Sequence, residues 1–126
     1  QGFFRRAVLA NYDNSCAISG IADQRLLIAS HIKPWVADVE NRHNPENGLL
    51  LSATLDRAFD IGLLTVDKIQ RVHICRDLYD HENDKTREYF RPLHLRHLRK
   101  SVRFDPGLSF LEWHNRYCYV DGPDSL

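Results

Sequence analysis

Apolar and polar positions alternate along the chain in short runs that predict several small elements. From Phe3 to Tyr12 the residues Phe4, Ala7, Val8 and Leu9 fall at helical spacing around Arg5 and Arg6, which predicts a short helix. Cys16 to Gly20, CAISG, predicts a brief extended piece closed by a turn. Leu26 to Ile32 is an apolar run stopped by Pro34 and predicts a buried strand. The stretch VADVENRHNPEN that follows is polar and aperiodic, a long loop for a small domain, and such loops commonly carry function. NGLLLS, Asn47 to Ser52, reads as a turn signal and a short apolar run. Ser52 or Thr54 then caps a helix containing Leu55, Ala58 and Phe59, with Gly62 placed to end it. LLTV and RVHIC, separated by DKIQ, predict a hairpin. Asp84 to Phe90 predicts a short helix, and Asp105-Pro106 opens a last one running to about Tyr119.

A chain of 126 residues is one domain's length, so residues 1–126 are expected to fold as a single unit. No apolar run approaches the ~20 residues of a membrane helix, and the amphipathic N-terminal segment is not a signal peptide. A cytoplasmic protein is the expectation. The chain starts at Gln1 and contains no methionine, which reads as a piece of a longer protein. Cys16, Cys75 and Cys118 are far apart, which excludes a four-cysteine zinc site, and their odd number fits a reducing compartment. His94 and His97 stand at i, i+3 but lack an accompanying cysteine pair. Cys16, beside Ala17 and Ile18, is expected in the core.

Charge changes the picture only locally. The 17 basic residues balance the 17 acidic ones. Yet Lys85, Arg87, Arg91, Arg96, Arg99, Lys100 and Arg103 form a stripe opposed within it by Glu88 alone, just after the acidic Asp77, Asp80, Glu82 and Asp84. Such a stripe is either a footprint for phosphates or a solvated arginine-rich face, and composition leaves both open.

The candidate chemistry falls on the predicted strand, loop, strand, helix order. His31 ends the first strand, Asn47 opens the second, and Asp56 and Asp60 stand at i, i+4 on the helix, so both carboxylates leave one face. Two carboxylates so placed can share a divalent cation, and oxygen ligands favour Mg²⁺ or Mn²⁺. Each residue also has a plainer reading: a structural histidine, an Asn-Gly turn, carboxylates paired with Arg57 or another arginine. Asp60, however, lies in the last helical turn, where the helix dipole disfavours a negative charge by about 0.3–1 kcal/mol, a penalty that a bound cation offsets.

Taken together, CAISG, LLIASHIKPW, NPENGLLLSATLDRAFDIGLL and, more weakly, YFRPLHLRHLR and FLEWHNRY resemble the HNH nuclease superfamily. The nearest resemblance is to the branch that supplies the catalytic domain of bacterial HNH restriction endonucleases. It implies an α+β fold: a ββα-metal core over about residues 14–66 with flanking helices and a β-hairpin. His31 matches the general base that activates water, and Asn47 the residue that holds the loop and orients that histidine. Asp56 falls where a helix-borne metal ligand, often histidine, stands, and Asp60 where many members carry a second. The chain departs from the pattern in having Asp as the third letter, and Ser30 where several members place a ligand before the base. His43, in the loop, is a further candidate for substrate or metal contact. The resemblance implies an endonuclease that cuts double-stranded DNA with Mg²⁺ or Mn²⁺, as a homodimer where both strands are cut. Lys85, Arg87, Arg91, Arg96, Arg99 and Lys100 then become candidate nucleic-acid contacts. The alternative is a non-catalytic DNA- or protein-binding module on the same scaffold.

Overall fold

The computed structural model describes residues 2–126, and its first half is organised on a two-stranded antiparallel sheet. β1 (Leu27–His31) and β2 (Gly48–Ser52) pair with Leu27 opposite Ser52 and His31 opposite Gly48. Two helices, α1 (Phe3–Asn11) and α2 (Ala53–Asp60), each pack against both strands. Every residue of β2 is buried, which is why GLLLS shows no polar alternation. β1 differs from the buried strand expected from its sequence, because Ile28 is 39% exposed. The cause is position: β1 is the open edge, whereas the far edge of β2 accepts the Ala17 N–H at the Leu50 carbonyl, 2.7 Å away. The CAISG segment is likewise a turn rather than an extended piece. The Gly20 N–H closes onto the Cys16 carbonyl at 3.0 Å, with Gly20 at φ +81°. Cys16 is fully buried.

The end of α2 is built from a sequence signal. Gly62 has φ +79°, its N–H reaches the Phe59 carbonyl at 3.2 Å, and the Leu63 N–H reaches that of Ala58 at 2.8 Å. This double bond is the Schellman stop. Gly62 is needed for a second reason, because a Cβ there would lie 2.0 Å from the Cys118 carbonyl oxygen. The C-terminal segment is thereby docked on the end of α2.

β3 (Leu64–Val66) and β4 (Val72–Ile74) form the expected hairpin. Asp67 organises its turn by accepting the N–H groups of Ile69 and Arg71, each at 3.0 Å. The single turn α3 (Arg76–Tyr79) had no clear sequence signal; α4 (Asp84–Phe90) follows, with Asn83 as its cap. α5 (Leu108–Tyr117) starts later than Asp105-Pro106 suggested and ends before Tyr119. Asp105 accepts Ser101 Oγ instead of capping, and Gly107 bonds back to the Glu46 carbonyl before the helix begins. Among the described residues no helix is long and apolar enough to cross a membrane.

Candidate active site

His31 is held from three sides. Its cross-strand neighbour Gly48 has no side chain, and a Cβ there would fall 2.6 Å from Val8 Cγ2 and 2.9 Å from Phe4 Cζ. α1 can therefore sit close to the sheet and lay the Phe4 ring on the His31 ring, with centroids 4.1 Å apart and planes 2° from parallel. In the ring plane, His31 Nε2 lies 2.7 Å from the Arg42 carbonyl oxygen. A carbonyl only accepts, so Nε2 carries the hydrogen, and in the neutral ring Nδ1 keeps the lone pair. Among the described residues Nδ1 has no hydrogen-bond partner.

The loop that brings Arg42 to the ring is secured by Asn47, which is fully buried. Its Oδ1 accepts the Lys33 N–H at 2.8 Å, while its Nδ2 donates to the Lys33 carbonyl at 2.9 Å and to that of Asn41 at 3.5 Å. Asn41 in turn bonds Asp38 and Asn44, and Lys33 pairs with Asp38 at 3.6 Å. Among the described residues the Asn47 side chain makes no hydrogen bond to His31. It fixes the loop at Lys33, just past the strand, and at Asn41, next to the Arg42 carbonyl on which the ring depends.

Two concavities meet at His31. One, of about 220 Å³, is also bordered by Asp60, Trp113, His114, Tyr117 and Cys118. The other, of about 290 Å³, is bordered by Phe4, Trp35, Arg42 and His43. Asp60 is exposed at the end of α2; Asp56, one turn earlier and half-buried, is outside the lining of the first cavity. Neither carboxylate makes a side-chain hydrogen bond or ion pair among the described residues, so pairing with Arg57 does not account for them. Ser30 is buried. Among the described residues no group of three or more His, Cys, Asp or Glu side chains is placed to hold a metal ion.

His114 borders the same cavity, and its role was not anticipated from the sequence. Its ring stacks on Phe59 with centroids 3.8 Å apart, Nε2 donates to the Phe59 carbonyl at 2.9 Å, and Nδ1 accepts Thr65 Oγ1 at 2.7 Å. Burial pushes its pKa down to about 4, against the smaller opposing pulls of the Phe59 carbonyl and the Asp60 charge. It is a neutral clasp between α5, α2 and β3. The available signal was its place beside Phe110 and Leu111 on one face of α5, which identified a core position without its polar partners. The Cys118 thiol, near the Asp60 backbone carbonyl, is pushed up by burial and by the Asp60 charge.

The basic stripe is divided. Arg87 bonds Asp84 and the His81 carbonyl, and Arg91 bonds Asp80 and the Tyr79 carbonyl while lying over the Tyr79 ring. Lys85 pairs with Glu88 at 3.5 Å, and Arg96 reaches the Ile18 carbonyl at 3.4 Å. The side chains of Arg99 and Lys100 have no ion-pair partner among the described residues. The acidic patch thus neutralises the first part of the stripe, and no stripe residue borders either cavity at His31.

Residues 16–67 match the family model described as HNH endonuclease. That segment contains β1, the loop, β2, α2 and β3, and so His31, Asn47, Asp56 and Asp60. Among solved structures the chain is similar to one described as a modification dependent TagI restriction endonuclease, at 19% identity and a TM-score of 0.55. The match covers 86% of this chain and 34% of that one, so this chain spans about a third of that neighbour's length. No curated protein sequence matches the chain. The neighbour agrees with the mixed helices and small antiparallel sheets. The family match over residues 16–67 and the α+β fold agree, and together they support an HNH endonuclease family for that segment.

Proposed function

We propose that this chain hydrolyses DNA phosphodiester bonds with the help of a divalent cation, as the nuclease domain of a restriction endonuclease. The observation that carries the reading is the His31 ring: stacked on Phe4, bonded through Nε2 to the Arg42 carbonyl, and bordering one cavity with the unpaired Asp60. An imidazole fixed in that tautomer offers Nδ1 to take a proton from a water aimed at phosphorus. The carbonyl then stabilises the imidazolium that forms, since its bond to Nε2–H strengthens with the charge.

The donors fit a hard cation that keeps waters and takes phosphate oxygens from its substrate, as Mg²⁺ or Mn²⁺ does with one or two carboxylates. Asp60 would hold it, with Asp56 on the same helical face as the second carboxylate. When bound, such an ion acts as a Lewis acid on the phosphate and its leaving 3′-oxygen. Asn47 acts as a positioning residue through the loop. Arg99 and Lys100 supply more distant attraction to the duplex. A homodimer on DNA provides one site for each strand.

The competing reading, a binding module without catalysis, draws on the lack of a three-donor cluster. Supercoiled plasmid with Mg²⁺ or Mn²⁺, with and without chelator, separates the two. Chelator-sensitive nicking that is lost in His31→Ala is the expected result. Salt-dependent binding without nicking under either metal would establish the module instead.

A further inference from the structure

The second concavity at His31 is not explained by the hydrolytic chemistry. Its walls are Phe4, Trp35, Arg42 and His43. Trp35 is 50% exposed, and its neighbour Val36 is 73% exposed. Both sit on the loop that hydrogen bonds of Asn47, Asp38 and Asn41 secure, and Trp35 shares its concavity with a cation and a histidine. Arg42 is exposed, and its guanidinium has no ion-pair partner among the described residues, in contrast to Arg87 and Arg91. Its backbone carbonyl orients the His31 ring while its side chain borders the cleft. An aromatic surface, an unpaired cation and a histidine thus border one concavity with the His31 ring.

From this juxtaposition we infer that the Trp35–Arg42–His43 wall grips the nucleotide next to the scissile phosphate, Trp35 packing on its sugar and Arg42 engaging the adjoining phosphate. The inference rests on the nuclease reading above and adds to it the surface that fixes the strand. The occupant is a polyanion with flat apolar faces, which matches the wall in both respects. Aromatic packing on the sugar of a duplex is insensitive to sequence, because every nucleotide presents the same sugar–phosphate backbone. This wall therefore contributes affinity and register and leaves sequence choice to other contacts.

The test is steady-state nicking of plasmid DNA in Mn²⁺ by wild type, Trp35→Ala, Trp35→Phe and Arg42→Ala. Trp35→Ala is expected to raise KM about tenfold, the scale of one lost aromatic–nucleotide contact, with kcat within about twofold. Trp35→Phe should recover most of the loss, which a merely structural role for an exposed side chain would not produce. Arg42→Ala keeps the carbonyl on His31, so it too should raise KM rather than lower kcat, and should flatten the dependence of KM on salt. Wild-type cutting with unchanged KM in Trp35→Ala and Arg42→Ala overturns this inference alone. Absence of nicking by wild type overturns the nuclease reading and this one with it.

Discussion

Gly48→Ala isolates the contact that sets the His31 ring. Gly48 has ordinary extended backbone angles, φ −132° and ψ 142°, so alanine adds no torsional strain. The whole effect is steric. The new methyl would stand 2.6 Å from Val8 Cγ2 and 2.9 Å from Phe4 Cζ, both inside the separation of about 3.5–4.0 Å at which carbon atoms pack best. Phe4 Cζ is the far end of a movable ring, but Val8 is β-branched on a helix and has little rotamer freedom. Either α1 lifts from the sheet or Phe4 swings off His31. Overpacking of this kind costs about 1–3 kcal/mol, roughly 3–12 °C in Tm for a domain of this size. Thermal melting measures that loss, and the Val8→Ala/Gly48→Ala double variant supplies the check. Removing Cγ2 should make the two changes non-additive, with a coupling of about 0.5–2 kcal/mol in the relieving direction. A Gly48→Ala protein that melts with wild type, or a strictly additive double variant, would refute the close approach of α1 and with it this account of how the ring is fixed.

Other consequences are as direct. His31→Ala should lower nicking by at least about a hundredfold, the scale of a lost general base, while DNA binding in a gel-shift assay stays near wild type. Asn47→Ala strands the partly buried N–H and carbonyl of Lys33, so a loss of about 1–3 kcal/mol is expected in urea unfolding, together with a lower kcat. Asp60→Asn should weaken Mn²⁺ binding in calorimetry more than Asp56→Asn does, since only Asp60 borders the His31 cavity; equal effects would return the two carboxylates to equal standing. His114 stays neutral in the fold down to about pH 4, whereas the unfolded chain takes up a proton near 6.5. Its contribution is therefore complete above pH 6.5 and is lost as pH falls toward 4, by roughly 3 kcal/mol. Urea midpoints followed from pH 7 to 4 should fall less steeply in His114→Gln, and parallel curves would exclude the effect.

Much of this arrangement was legible in the sequence because local signals and tertiary needs agreed. Gly62 announced the end of α2, the Asp84 to Phe90 segment α4, and the LLTV and RVHIC runs a hairpin. The disagreements have a common source in contacts between distant segments. Asp105-Pro106 is a good helix start in isolation, yet Gly107 is tied to Glu46 and the helix waits until Leu108. Leu26 to Ile32 reads as buried throughout, but β1 is an edge, a matter of sheet order that periodicity does not encode. At the site, type and order located His31 and Asn47, but the route between them was out of reach. It runs through backbone atoms of Lys33, Asn41 and Arg42, which have no residue letter. The division of the basic stripe was missed for the same reason as the role of His114: the partners come from the spatial neighbourhood, where Asp80 meets Arg91 and Thr65 meets His114.

The bond from His31 to the Arg42 carbonyl has an implication for how this site can be altered. The acceptor belongs to the path of the chain, so no exchange of side chain at position 42 removes it. A scan that replaces residues one by one would leave position 42 looking dispensable for ring orientation while registering its guanidinium elsewhere. Diversity can therefore accumulate on the loop surface as long as the curve of the loop is kept. The fold separates what is free to vary from what must persist by placing them on different atoms of one residue.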